Sequence, residues 1–130
     1  MTKSFKPNGY HSVNPYLITK DANRLVEFLK QAFYAEELER DERPDGTMVH
    51  VTCRIGDSMI GIGGSSNEKF PPMKNALHVY VENADEVYER ALQAGAHSLY
   101  EPQDHEYGER SGGVEDPSGN HWYIATNISR

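Results

Sequence analysis

The chain has very little of what would place it outside the cytosol or in a membrane. It has one cysteine, Cys53, so no disulfide can form within the chain and a reducing compartment is expected. No apolar run approaches the roughly 18 residues that a membrane-spanning helix needs. The segment 1–11 is polar and lacks the apolar stretch of a secretion signal. We therefore expect a cytoplasmic protein with no membrane partner and a flexible tail over residues 1–11.

Basic residues are also scarce relative to acidic ones. The chain has 13 Lys and Arg against 20 Asp and Glu, which gives a net charge of −7. Binding to nucleic acid depends on clustered Lys and Arg that displace counterions from phosphates, and anionic lipids attract the same residues. The charge therefore argues against a nucleic-acid partner and against a membrane surface.

Two segments carry an apolar stripe at helical spacing. The first follows Asp21, a good N-cap, and its stripe consists of Leu25, Phe28, Leu29, Ala32 and Phe33. The second follows Asn83 or Asp85, and its stripe consists of Ala84, Val87, Tyr88, Ala91 and Leu92. Gly95 is placed to end the second helix as a C′ residue. The sequence predicts two amphipathic helices, each with one face in the core.

An apolar strand precedes each helix, and further strand candidates follow it. The predicted strands of the first half are 13–19, 36–43, 48–55 and 59–62, with a turn at 43–46. Those of the second half are 76–81, one that starts at 97–101, and 120–126, with a turn within 107–113. In 48–55 the side chains alternate, so that Cys53 belongs to an apolar face directed to the core, and His50 and Arg54 belong to the other face.

The order βαβββ thus occurs twice in one compact domain of 130 residues. We assign 12–63 to the first module, 64–75 to a linker and 76–128 to the second module. An offset of 64 residues joins Asn14 with His78 and Asp21 with Asp85. The expected fold class is α+β, with two βαβββ modules that form a curved mixed β-sheet cup with the helices outside.

Four short segments point to a known family. They are RIGD at 54–57, LHVYVE at 77–82, YGERSG at 107–112 and DPSGNHW at 116–122. With the doubled βαβββ order they resemble the vicinal oxygen chelate superfamily of glyoxalase I, bleomycin-resistance proteins and extradiol dioxygenases, and most of all its small bacterial PhnB-like members. The resemblance covers about 13–128. One departure is Tyr34, which stands where the family usually has Gly and would fit a slightly longer helix end.

The resemblance implies where a metal would be bound in this chain. Metal-using relatives hold one divalent ion with ligands on the first and last strand of each half. Those positions correspond here to Asn14, Gly61, His78 and Tyr123. Only His78 is a good ligand, so we expect no metal cofactor, and a divalent metal is disfavoured. A displaced site made of His50, His78 and His121 stays open as an alternative.

Period-two alternation extends this set to other side chains that would face the cup. The expected ligand-binding residues are Asn14, Tyr16, His50, Arg54, His78, Tyr80, Arg110, His121 and Tyr123. Arg110 could clamp an acidic group of a ligand or pair with an acidic neighbour such as Asp116. His78 is the candidate catalytic residue, as a general base.

The sequence therefore favours a protein that binds a small-molecule ligand in an aromatic, histidine-lined cup with a degraded metal site. Because relatives usually dimerise, a homodimer is expected. The alternative is a divalent-metal-dependent lyase, isomerase or dioxygenase with an atypical ligand set around His78.

Overall fold

The structure, a computed structural model, describes residues 4–45, 48–65 and 69–129. The first module consists of β1 (Tyr16–Thr19), α1 (Ala22–Phe33), β2 (Glu36–Glu42), β3 (Met48–Ile55) and β4 (Ser58–Gly64). The second consists of β5 (Ala76–Tyr80), α2 (Ala84–Gln93), β6 (His97–His105), β7 (Glu109–Glu115) and β8 (His121–Asn127). Residues 1–3 of the predicted tail, residue 46 of the predicted turn and 66–68 of the predicted linker lie outside the described residues.

The strands form two four-stranded mixed sheets of the same topology. Their orders are β1-β4-β3-β2 and β5-β8-β7-β6. β1 runs parallel to β4, with Tyr16 opposite Gly61, and β5 runs parallel to β8, with His78 opposite Tyr123. The remaining pairs are antiparallel. The predicted fold class, α+β with two βαβββ modules and mixed sheets, is confirmed.

The first helix begins as predicted and ends in a strained residue. The Asp21 carboxylate accepts a hydrogen bond from the Arg24 amide at 3.0 Å. The helix ends at Phe33, and Tyr34 takes a left-handed conformation with φ of 58°. The expectation of a longer helix end was therefore wrong, because Tyr34 adopts the conformation that glycine adopts without strain. Its hydroxyl donates to Glu86 at 3.0 Å, and the Arg90 guanidinium lies 4.0 Å from its ring centre.

The second helix begins at Asn83, whose side chain accepts from the Glu86 amide at 3.1 Å. Asn83, rather than Asp85, is therefore the N-cap. Gly95 has a φ of 108° just beyond the C-cap, as the sequence predicts.

One apolar core serves both modules. The two helices pack against each other, and each covers one face of its own sheet. The rings of Phe33 and Trp122, one from each module, have centroids 4.7 Å apart. Cys53 is fully buried, which confirms the predicted direction of the apolar face of β3. Other aromatic side chains, among them Tyr16, His78 and Tyr123, lie on the sheet faces that point away from the helices.

A buried carboxylate organises the turn between β7 and β8. Asp116 is 2% exposed. Its oxygens accept hydrogen bonds from the Trp122 indole at 2.8 Å, the Ser118 amide at 2.8 Å and the Asn120 amide and side chain at 3.0 Å each. Four donors of this kind offset the cost of burying the charge.

The same turn is joined to both modules. The Ser118 hydroxyl lies 2.8 Å from the Thr19 hydroxyl at the end of β1. The Asn120 side-chain oxygen accepts from the Asn75 amide at 3.0 Å, just before β5. The Asp116 turn is therefore a structural junction between the halves of the chain.

Both helices are short, with 12 and 10 residues. Within the described ranges, no helix has the length and apolar character that crossing a membrane requires.

Candidate functional site

The free face of the second sheet carries a cluster of aromatic side chains. His78 and Tyr80 alternate along β5 with residues that point to the core, and Tyr80 is 66% exposed. Their ring centroids lie 4.6 Å apart. Tyr123, opposite His78 on β8, lies 6.4 Å from the ring of His121. Four of the predicted site residues therefore share one surface.

Glu109 is the acidic member of this surface. It is the first residue of β7 and is 8% exposed. Its Oε2 lies 2.9 Å from Nε2 of His78. The hydrogen bond from His78 lowers the pKa of the Glu109 carboxyl despite its burial, with a smaller contribution from the Tyr80 hydroxyl. The same carboxylate raises the pKa of Tyr80.

More aromatic rings continue the surface along β6. Tyr100 lies 6.5 Å from Tyr123 in a stacked arrangement, and its ring covers Gly113, where a Cβ would lie 2.5 Å from it. His105 stacks on Tyr107 at 5.1 Å. The buried Nε2 of His105 has no hydrogen-bond partner among the described residues. The second sheet thus presents a nearly continuous aromatic face.

The free face of the first sheet holds a second, smaller group. Tyr16 stacks on His50 with ring centroids 5.6 Å apart. Its ring lies flat over Gly61 and Gly63, where an added Cβ would approach to 2.5 Å in each case. Arg54 pairs with a glutamate of the neighbouring strand, Glu36.

Apart from Asn14, which precedes β1, the predicted site residues are thus distributed over two sheets. Across the described ranges, no hydrogen bond, ion pair or ring contact joins the pair Tyr16 and His50 to His78, Tyr80 or Tyr123. The sequence predicted one common lining, whereas the structure shows two groups.

A pocket of about 470 Å³ lies between the modules. Its wall is mainly apolar and consists of Pro15, Phe33, Tyr34, Ile55, Gly56, Asp57, Ser58, Ile60, Leu77, His78, Val79, Tyr80, Val81 and Trp122. A more open hollow of about 790 Å³ borders it and is lined in part by Tyr80, Tyr107 and Glu109. The hydrogen-bonded pair His78 and Glu109 therefore lies where the two spaces meet.

The alignment of the two modules needs a correction. The N-caps are Asp21 and Asn83, and the strand partners are Tyr16 with Gly61 and His78 with Tyr123. These pairs give an offset of 62 residues instead of 64, so the counterpart of His78 is Tyr16.

Asn14 lies before β1, in a loop. Its side-chain oxygen accepts from the His11 amide at 3.0 Å, and its side-chain nitrogen donates to the His11 carbonyl at 2.7 Å. The equivalence of Asn14 with His78 was therefore wrong. The loop hydrogen bonds already engage both ends of the Asn14 amide.

The residues at the four corrected positions do not fit a divalent metal ion. Tyr16 covers Gly61, which has no side chain, and the other two positions hold His78 and Tyr123. Nowhere in the described ranges do three His, Cys, Asp or Glu side chains gather as a metal site would require. The alternative trio His50, His78 and His121 is divided between the two sheets.

Arg110 forms ion pairs within the protein. Its guanidinium donates to the Asp85 carboxylate at 2.7 and 3.0 Å and to Asp104 at 3.1 Å. The predicted structural pair with an acidic neighbour is therefore present, but its partners are Asp85 and Asp104. Asp116, the neighbour that the sequence suggested, is buried in the β7–β8 turn.

Sequence reasoning missed Glu109 because 107–113 was interpreted as a turn. The turn covers only 106–108, and β7 follows directly. Register places Glu109, Ser111 and Gly113 on the face that Tyr123 shares. The period-two pattern of ERSGG, applied to this segment, would have found Glu109.

The model of the Glyoxalase/Bleomycin resistance protein/Dioxygenase superfamily matches residues 10–124. An uncharacterized protein of Mycobacterium bovis is 31% identical over an alignment of 131 positions, which covers 90% of this chain and 84% of that protein. An uncharacterized protein of Mycobacterium tuberculosis is also 31% identical, with 90% and 75% covered.

Solved structures share the fold. TioX from Micromonospora sp. ML1 has a TM-score of 0.76 at 22% identity, with 90% of this chain and 100% of that chain covered. A glyoxalase/bleomycin resistance protein/dioxygenase family enzyme from Burkholderia phytofirmans has a TM-score of 0.71 at 21% identity, with 92% and 98% covered. The fosfomycin resistance protein FosX from Mesorhizobium loti has a TM-score of 0.66 at 20% identity, with 90% and 92% covered.

Proposed function

Because the chain belongs to the glyoxalase/bleomycin resistance protein/dioxygenase superfamily, we propose that it binds a small organic molecule between its two modules. The observation that carries the proposal is the inter-module pocket of about 470 Å³, which has a mainly apolar wall and the polar groups of His78 and Tyr80 at one side. Small-molecule sites typically combine an apolar cavity of this size with a few convergent polar groups.

The binding proceeds without a metal ion. Tyr16, Gly61 and Tyr123 occupy three of the four positions where metal-using relatives carry ligands, and one histidine does not hold a divalent ion against water. The metal-dependent lyase, isomerase or dioxygenase is therefore the less favoured function. The protein is further proposed to be a cytoplasmic, PhnB-like homodimer.

Metal content tests the proposed metal independence. Tag-free protein and a His78→Ala variant are analysed by mass spectrometry before and after incubation with Zn²⁺, Ni²⁺, Mn²⁺ and Fe²⁺. We expect no stoichiometric metal in either protein. Stoichiometric metal that the variant loses would overturn metal independence and favour the enzyme.

A ligand screen by thermal shift tests the proposed binding of a small molecule in the pocket. A compound that binds the folded state raises the melting temperature in proportion to the logarithm of its concentration relative to Kd. We expect Tyr80→Ala to weaken a hit, since this exposed ring lines the pocket. The matched control is Leu99→Ala, an exposed β6 residue outside the pocket wall. Equal weakening by both variants would place the site elsewhere.

The oligomeric state is measured by size-exclusion chromatography with light scattering. A mass near twice the 14.7 kDa of one chain would support the homodimer, and a mass near one chain would contradict it.

A further inference from the structure

His78 and Glu109 form a hydrogen-bonded imidazole–carboxylate pair on the wall of the proposed binding pocket. Nε2 of His78 lies 2.9 Å from Oε2 of Glu109. The His78 side chain is 40% exposed, whereas that of Glu109 is 10% exposed. The carboxylate is thus mostly buried at the edge of the open hollow, and the imidazole lines the inter-module pocket.

The chemistry of the pair fixes the position of the His78 proton. An ionised carboxylate can only accept hydrogen bonds, so Nε2 must be the donor. The lowered pKa of Glu109 keeps this carboxyl ionised at neutral pH. In the neutral imidazole, Nδ1 then carries the free lone pair. This Nδ1 makes no hydrogen bond to any residue in the described part of the chain.

We propose that His78 is a general base that takes a proton through Nδ1 from a molecule bound in the inter-module pocket, and that Glu109 positions its imidazole. Glu109 holds the required tautomer and stabilises the imidazolium that forms. This inference rests on the proposed binding function and adds a reaction to it. The substrate class is a small, largely apolar molecule with a weakly acidic hydrogen, because the pocket wall is mainly apolar.

Neighbouring groups favour the same role. The Tyr80 ring lies beside the His78 ring, with centroids 4.6 Å apart. Gly113 and Tyr123, the residues in register with His78 across the sheet, bring no competing charge to it. His78 is therefore held by one carboxylate and one ring.

The probe reaction is the elimination of 5-nitrobenzisoxazole, a flat aromatic compound with one acidic C–H. The base removes the proton from C3, the C–H electron pair forms the C≡N bond, and the N–O bond breaks to leave a coloured phenolate. The step needs no metal and no co-reactant. Absorbance of the product gives the rate above that in buffer.

We expect His78→Ala to lower this rate by about tenfold or more, since a positioned general base contributes roughly 10²- to 10⁴-fold. Free imidazole added to His78→Ala should restore part of the rate. The matched control is His97→Ala, which removes an exposed histidine at the start of β6 that lines neither space and should leave the rate unchanged. Equal rates in wild type and His78→Ala, or no rate above buffer, would overturn the proposal.

The role of Glu109 has its own spectroscopic test. Two-bond ¹H–¹⁵N correlations of His78 should show Nε2 protonated in the wild type and a mixture of tautomers in Glu109→Gln. A mixture in the wild type would overturn the positioning role, even if Glu109→Gln were also less active.

Binding of 5-nitroindazole, which has the same shape but no N–O bond to break, separates the two proposals. If chemical shifts at the pocket change on binding but elimination does not depend on His78, the base is wrong and the binding site stands. If the analogue leaves these shifts unchanged and elimination is absent, the result counts against both.

Discussion

Tyr16 and His78 occupy equivalent positions in the two modules, each directly across from the last strand of its own sheet. Tyr16 faces Gly61, and His78 faces Tyr123. In the first module the aromatic ring closes the position over a glycine, whereas in the second an imidazole remains available beside a carboxylate. The two modules have the same backbone plan, but at this point only the second has an imidazole–carboxylate pair on its free face.

The contact between Tyr16 and Gly61 predicts a coupled effect on stability. A Cβ at Gly61 would lie 2.5 Å from Cδ1 of Tyr16, so Gly61→Ala must displace the ring. We expect it to lower the free energy of unfolding by about 1–3 kcal/mol, the usual cost of overpacking. In a Tyr16→Ala background the cost should be smaller. Urea denaturation of the four proteins in this cycle measures the difference, and equal costs in both backgrounds would contradict the contact.

The buried Asp116 predicts a large loss of stability on substitution. Asp116→Asn keeps the shape but removes the charge that accepts from Trp122, Asn120 and Ser118. We expect the free energy of unfolding to fall by about 2–4 kcal/mol, because donors to a buried charged group lose their partner. Urea denaturation followed by circular dichroism measures it. Asp104→Asn, an exposed control, should change stability by less than about 0.5 kcal/mol. If Asp116→Asn also changed the free energy of unfolding by less than about 0.5 kcal/mol, the buried carboxylate would not stabilise the junction.

The ion pairs of Glu37 predict a pH dependence. Arg40 donates two hydrogen bonds of 2.9 Å to its carboxylate, and Lys30 lies 3.2 Å away. These contacts, the Arg40 hydrogen bonds first, lower the pKa of Glu37 to about 2 from an ordinary 4.5. A lowered pKa means that the stabilisation is complete above about pH 4.5 and is lost as the pH falls towards 2.

Glu37→Gln should therefore lower the free energy of unfolding by about 0.5–1 kcal/mol at pH 7, a value discounted for solvent screening. The difference from wild type should shrink between pH 4.5 and pH 2. Urea denaturation at several pH values gives this curve. Glu39→Gln, on the same strand and exposed, is the control. A difference that stays constant with pH would show that charge is not the cause.

The buried thiol predicts slow chemical modification. Burial raises the pKa of Cys53 from 9.0 to about 11. Since only the thiolate reacts, its population at pH 8 falls roughly a hundredfold, and burial blocks access as well. Iodoacetamide should label the protein within minutes in urea and hardly at all in the folded state. Leu99→Cys in a Cys53→Ala background is the exposed control and should react in both. Rapid labelling of folded wild type would contradict this.

Local periodicity was enough to predict most elements of this fold. The apolar stripe that ends in Phe33 and the apolar side chains that alternate around Cys53 are both buried. A shift of either element by one residue would expose these side chains to water, so the sequence determines which face is turned to the core. The predicted offset of 64 residues between the modules was wrong because the wrong N-cap was chosen for the second helix. Asp85 is as good a cap in principle as Asn83, and only the hydrogen bond to the Glu86 amide distinguishes them.

The site was predicted less well because it depends on contacts between distant residues. Glu109 reaches His78 from a different strand, and the Gly112–Gly113 pair disguised β7 as a turn. Gly113 accommodates the Tyr100 ring, which occupies the space that a side chain at this position would need. The ion pair of Arg110 with Asp85 likewise joins β7 to α2, a proximity that no local pattern encodes.

Trp122 is the only tryptophan of the chain, and it touches the partner module through Phe33 while its indole nitrogen donates to Asp116. The protein therefore carries its own optical reporter at the boundary between its halves. Any event that parts the modules changes the surroundings of this one fluorophore. If emission and far-ultraviolet ellipticity change together during denaturation, the two modules unfold as one cooperative unit.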